Sequence, residues 1–143
     1  MKLPVLLAAA LVAFLACSGA GITASPDLGR EAASAIYIPK DLEDSFAALR
    51  DLLDPADVDQ LRSGSEADVA LYHFGLGRWM RNNWGLWGGS RLSRWFNDRG
   101  IHHPDDMSGI ILTSFWRHLN GKPLGLDAQI ERYQIYWDRL NNQ

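Results

Sequence analysis

The chain has 143 residues, 47% hydrophobic and 22% charged, the balance of one globular domain with appendages. Its net charge of −3 lacks the basic excess on which non-specific nucleic-acid binding depends, so no nucleic-acid partner is expected. Cys17 is the only cysteine, which excludes an intramolecular disulfide and leaves the folded part to be held by its core.

Residues 1–24 read as a signal peptide. Met1 and Lys2 supply the positive start, and "PVLLAAALVAFLAC" is the apolar run. That run is shorter than the ~20 apolar residues of a spanning helix. Small residues follow, with cleavage expected after Ala20 or Ala24. Two readings of Cys17 stand side by side. It is either lipidated, in a lipoprotein signal where Phe14 replaces the usual leucine, or a plain small apolar residue of the signal. Either way the expectation is an exported protein of a bacterial periplasm or cell envelope. It would meet the membrane only through a lipid anchor or an uncleaved signal. Residues 25–35, small and polar, read as a flexible tether.

Residues 36–143 read as the domain. "IYIPK" is a short extended entry, because Pro39 disfavours helix at Ile38. Asp41 can cap a first helix with Leu42, Phe46, Leu49 and Leu53 at helical spacing. Asp54-Pro55 starts a short second one, with Val58 and Leu61 inward, ending at Ser63-Gly64. Ser65 and Asp68 resemble a capping box for a third helix. Val69, Tyr72, Leu76 and Met80 form its stripe, with His73 and Trp79 beside it, and Asn82-Asn83 and Gly85 end it. "GLWGG" is a turn. Ser90 caps a fourth helix carrying Leu92, Trp95 and Phe96, ended by Gly100. Pro104, Asp105 and Asp106 have the composition of the first turn of a fifth, which carries Met107, Ile110, Ile111, Ser114, Phe115 and Leu119. A sixth begins near Asp127 and shows Ile130, Tyr133, Trp137 and Leu140, with Tyr133, Tyr136 and Trp137 as its docking seam. No segment alternates with a period of two, so no sheet is expected. The prediction is an all-α, single-domain bundle of five or six short helices.

Charge is uneven along this domain. Acids dominate from Asp41 to Asp68, while five arginines face only Asp98 between Arg78 and Arg99. In a compact fold these segments are expected to pair internally. Within the basic part, "GLGRWMRNNWGLWGGSRLSRWF" concentrates four tryptophans, four arginines and five glycines. Trp84 and Trp87 lie in the glycine-rich turn and could stack on a sugar ring or a peptide. Arg78, Arg81 and Arg91 could hold carboxylates or phosphates, and Asn82 or Asn83 could present an amide. The competing reading is a tight interhelical corner, in which Gly85 supplies an unusual backbone angle, Ser90 and the asparagines cap helix ends, and the indoles plug the core.

"GIHHPDDMSGI" offers the other candidate chemistry. His103 with Asp105 or Asp106, joined by His73, could form an acid–base or metal site for a small hydrolase. His73, His103 and Asp106 are the ligands such a metal would need. The adjacent histidines, His102 and His103, point to opposite sides of an extended connector, and no HExxH or CxxC pair is present, so no metal and no cofactor is expected. The simpler reading places His103 and Pro104 in a connector, with the two acids favouring the helix N-terminus.

The stretch from His73 to Ser108 resembles a bacterial domain family of unknown function. The shared pattern is carried by His73, Gly75 and Gly77, by the "RNNWGLW" run from Arg81 to Trp87, by Ser90, Leu92 and Phe96, and by "HPDDMS" from His103 to Ser108. The resemblance extends from about Ile38 to Ile130. It implies a shared fold and surface and no reaction, and it places the tryptophan block and the HPDDMS segment in one unit. A pairing of Arg81 with Asp105 or Asp106 is a further expectation. Three functional readings result. The first is a non-enzymatic envelope protein that binds a protein, peptide or glycan through the corner. The second is the hydrolase, and the third a structural or accessory lipoprotein.

Overall fold

The computed structural model describes residues 35–142. The signal segment, Cys17 and almost all of the expected tether lie outside the described residues. Six α-helices are present among the described residues, in order: α1 Leu42–Leu52, α2 Pro55–Ser63, α3 Arg78–Asn83, α4 Arg91–Asn97, α5 Pro104–Leu119 and α6 Leu126–Asn141. There is no strand among the described residues, and the all-helical expectation holds.

Each boundary has a local cause. The Asp41 carboxylate accepts the Asp44 N–H at 2.8 Å and opens α1. Pro55 occupies the first turn of α2, where its missing N–H costs nothing. Ser65 and Asp68 form a reciprocal capping box: Ser65 N–H donates to Asp68 Oδ2 at 2.8 Å, and Asp68 N–H to Ser65 Oγ at 3.3 Å. Ser90 Oγ accepts the Ser93 N–H at 3.0 Å and starts α4.

The capping box does not lead into the continuous third helix that the spacing predicts. Ala67–Tyr72 winds as a 3-10 helix and His73–Gly77 as a single π turn before α3 begins. Gly75 and Gly77 weaken α-helix locally. Tertiary contact also favours the break, because Gly77 lies against α5. A Cβ on Gly77 would sit 3.1 Å from Arg81 Nη1 and 3.5 Å from Leu112 Cδ1. The inward stripe survives the change of winding: Val69, Leu76 and Met80 are all buried.

The core is built around α5. Ten of its sixteen residues are buried, so it is a central helix and not a surface amphipath. Leu49, Met80, Leu92, Phe96, Ile110, Ile111 and Phe115 are essentially inaccessible and meet there. Helix α1 adds Phe46, whose ring lies 5.9 Å from Phe115 and 4.8 Å from His118. Trp116 is anchored at the end of α2 by donating to the Gly64 carbonyl at 3.0 Å. Helix α6 docks through Ile130, half-buried Tyr133 and Trp137. Tyr136, expected in that seam, is 54% exposed and meets the seam only edge-on through the Trp137 ring.

The extended entry packs as expected. Pro39 is buried, and the Ile38 carbonyl accepts both Nε (2.7 Å) and Nη2 of Arg91. Arg91 also lies over the Tyr37 ring, while the Tyr37 hydroxyl donates to Asp44 at 2.7 Å. The acidic first helix and the basic block therefore meet at this point, although Arg91 stands 4.0 Å from Asp44 and bonds chiefly to backbone.

The turn between α3 and α4 depends on Gly85, whose φ is +63°. A side chain there is doubly penalised, since its Cβ would also lie 3.0 Å from Ser90 Cβ, on the residue that caps α4. Gly85→Ala is expected to cost about 1–3 kcal/mol of stability in urea unfolding. Gly64→Ala, at an ordinary φ of −70°, should cost clearly less; equal costs would remove the strain argument.

Candidate functional site

The corner separates residues that the sequence groups together. Trp84 is 1% exposed and packs edge-on against Trp79 at 5.9 Å, so it is a core residue and presents nothing to a ligand. Leu86, given no role in the turn by its spacing, is buried to the same extent. Trp87, one residue further, is 67% exposed. Its indole Nε1–H donates to Asn82 Oδ1 at 3.1 Å, which fixes the edge of the ring and leaves its face free.

The other expected binding residues divide similarly. Asn83 donates to the Trp79 carbonyl at 2.8 Å, the capping role of a helix end. Arg91 is committed to the entry segment, and Arg94 donates to the Gly89 carbonyl at 2.8 Å, tying down the end of the turn. Arg81 is 5% exposed and faces inward. Arg78 is exposed, one turn before Asn82 on α3. Trp87, Asn82 and Arg78 are what remains of the recognition surface.

Arg81 organises the second cluster. Its Nε lies 3.0 Å from Asp105 Oδ1, so the expected pairing with the start of α5 is present. The pair is not a two-pronged carboxylate grip. Nη1 donates instead to Ser108 Oγ at 2.9 Å and more weakly to the His73 carbonyl at 3.4 Å. One guanidinium thus joins the π turn, α3 and the first turn of α5. Ser108 completes the path by donating to the Asp105 carbonyl at 2.9 Å. Its part had no local signal, since it lies 27 residues from Arg81.

Both histidines of the hydrolase reading lie near the same acid. His73 Nε2 is 3.5 Å from Asp105 Oδ1, and His103 Nδ1 is 3.6 Å from Asp105 Oδ2. His103 also caps α5, its Nδ1 accepting the Asp105 N–H at 3.3 Å. Pro104 is buried as the first residue of that helix. Asp106 shares a pocket with His103 and feels its charge, but its carboxylate is bonded elsewhere. It is 7% exposed, and its Oδ2 accepts the Trp137 indole N–H at 2.6 Å. Among the described residues no group of three His, Cys, Asp or Glu is placed to hold a metal ion. Ser108, bonded within this cluster, is fully buried and donates and accepts hydrogen bonds already, so its hydroxyl is not presented as a nucleophile beside the histidines.

Burial raises the Asp106 carboxyl above its ordinary range, with the Trp137 bond opposing the rise. An acid whose pKa rises on folding weakens the fold as it ionises. Stability is full below the unfolded value of about 3.9 and declines as pH rises through the folded one. Asp106→Asn keeps an acceptor for Trp137 and carries no charge. Relative to wild type, its stability is therefore expected to climb as urea melts are moved from about pH 3 to about pH 7. A difference that stays constant with pH would remove the burial argument.

The family model described as Domain of unknown function (DUF6794) matches residues 38–119, and the chain belongs to this family. The match runs from the extended entry to the end of α5, so the corner and the Arg81 cluster belong to one family unit. It stops short of the expected limit near Ile130, and α6 lies beyond it. No curated protein and no solved structure matches the chain.

Proposed function

We propose that this domain is a non-enzymatic binding module of a bacterial cell envelope, exported by residues 1–24, whose recognition surface is the face of Trp87 flanked by Asn82 and Arg78. The observation that carries this reading is a two-thirds exposed indole on a hydrogen-bonded turn. The turn is held on one side by the Asn82–Trp87 bond and on the other by Arg94 on the Gly89 carbonyl. An exposed aromatic costs little to order on binding when its edge is already fixed, and that favours its use as a stacking platform. The chemistry suits a glycan ring or the flat side chain of a peptide, with Arg78 available to an acidic group. The accessory-lipoprotein reading is compatible with this surface and turns on the fate of Cys17.

The hydrolase reading has one observation in its favour, Asp105 set between His73 and His103. Three other facts weigh against it. Asp105 is held by buried Arg81, Asp106 is bound to Trp137, and Ser108 is closed off.

Trp87→Ala removes an exposed side chain and should shift stability by no more than about 0.5 kcal/mol. On an array of envelope glycans and peptides, the wild-type chain is expected to retain ligands that Trp87→Ala loses by at least about tenfold, a 1.4 kcal/mol effect. Retention of the same ligands by both chains, or of none, overturns the reading.

A further inference from the structure

A groove separates the 3-10 and π segment from α5 and α6. Its volume is about 360 Å³, within the roughly 300–1,000 Å³ of small-molecule sites. It shares no residue with the Trp87 corner. Its base is apolar, formed by buried Val69 and Leu112. Gly109 on α5 lets the Tyr133 hydroxyl pack against the helix at its wall, since a Cβ at Gly109 would lie 2.5 Å from that oxygen. Phe74 stands at the lip, 83% exposed. Its only ring contact among the described residues is edge-on with His73 at 5.0 Å. An aromatic side chain this exposed contributes nothing to the core and is available to cover a guest.

Charge identifies the guest. Glu66 is the one acid lining the groove, and Arg117 neutralises it through Nε at 3.0 Å and Nη2. The Arg117 guanidinium accordingly holds the Glu66 carboxyl below its ordinary range. Arg132, on the facing side, lies over the Tyr133 ring, interacts with its hydroxyl and acts on Glu66 at longer range. His73, oriented by Asp105, and Thr113 add polar groups around the same space. A guanidinium held by the Tyr133 side chain, two hydroxyls and an imidazole thus surround an apolar base and an exposed phenyl ring.

We propose that this groove is a binding site for a small amphipathic carboxylate. The acid group pairs with Arg132 and is hydrogen-bonded by Tyr133 or Thr113, while its apolar body lies between Phe74 and Leu112. Two sources share this chemistry, a free aromatic or branched acid and the C-terminal residue of a peptide. Arg132 and Tyr133 belong to α6, beyond the residues matched by the family model, so the site is built by this chain's last helix on the family's common unit.

The test is a ¹⁵N–¹H NMR titration of the full chain with phenylacetate, with N-acetylphenylalanine and with N-acetylphenylalanine amide. Both carboxylates are expected to shift the amides of Gly109 and Thr113, with a dissociation constant of about 1 mM or tighter, and the amide probe to bind at least about tenfold more weakly. Arg132→Gln and Phe74→Ala, both at exposed positions, should each weaken carboxylate binding at least about tenfold at unchanged melting temperature, while Trp87→Ala leaves it unaltered. Tighter binding of N-acetylphenylalanine than of phenylacetate points to a peptide terminus, and the reverse order to a free acid; both orders support the site. No shift with either carboxylate, equal binding of the amide, or undiminished affinity in Arg132→Gln overturns it.

Discussion

The arrangement rests on one buried cation. Arg81 is almost entirely removed from water, and a guanidinium so placed must be paired and hydrogen-bonded or it destabilises the fold by several kcal/mol. Asp105, Ser108 and the His73 carbonyl meet that demand from two directions. The consequence is geometric as well as energetic. Because the acceptors lie on the π turn and on the first turn of α5, satisfying the charge fixes how these segments cross. Lysine could not substitute, since a point charge lacks the fork that reaches separate acceptors. The close approach also depends on Gly77, where any side chain would press on the guanidinium itself.

That crossing sets the surfaces of the domain. Helix α3 is short, and its end delivers Trp84 into the core and Trp87 out of it. The extra winding of the π turn places His73 and Phe74 on the side facing α5 and α6, where the groove opens. π turns inserted in helices frequently accompany functional sites, because the irregular turn redirects side chains that a regular helix would align. Here one such turn contributes its carbonyl to the structural cluster and its side chains to the groove. The candidate surfaces therefore share a scaffold while using different residues.

Much of this was legible locally. Asp41, Pro55, Ser90 and Pro104 mark helix starts through interactions within a few residues, and the reciprocal bonds of Ser65 and Asp68 are implied by their spacing alone. The inward stripe from Val69 to Met80 was equally visible. The winding behind it was not, because burial at these positions is compatible with 3-10, π or α turns, and contact with α5 decides among them. Trp84 and Trp87 show a second limit. Both are indoles in one glycine-rich run, and only the path of the turn determines which faces the core. Ser108 and Trp137 show a third. Each completes a polar contact across 27 or 31 residues, a distance at which a single sequence carries no pairing signal.

The claim that Arg81 couples the π turn to α5 is tested most directly by native-state hydrogen exchange on Arg81→Lys, with Arg99→Lys as the exposed comparison. Arg99, two residues past the end of α4, lies over the Trp95 ring and donates to the Trp95 carbonyl, so its replacement should act locally. The account predicts that Arg81→Lys lowers protection together at Arg78, whose N–H bonds the π turn, and at Met107, whose N–H bonds His103 at the start of α5, while α1 remains protected. Loss confined to one of these segments, or a pattern matching that of Arg99→Lys, would contradict it.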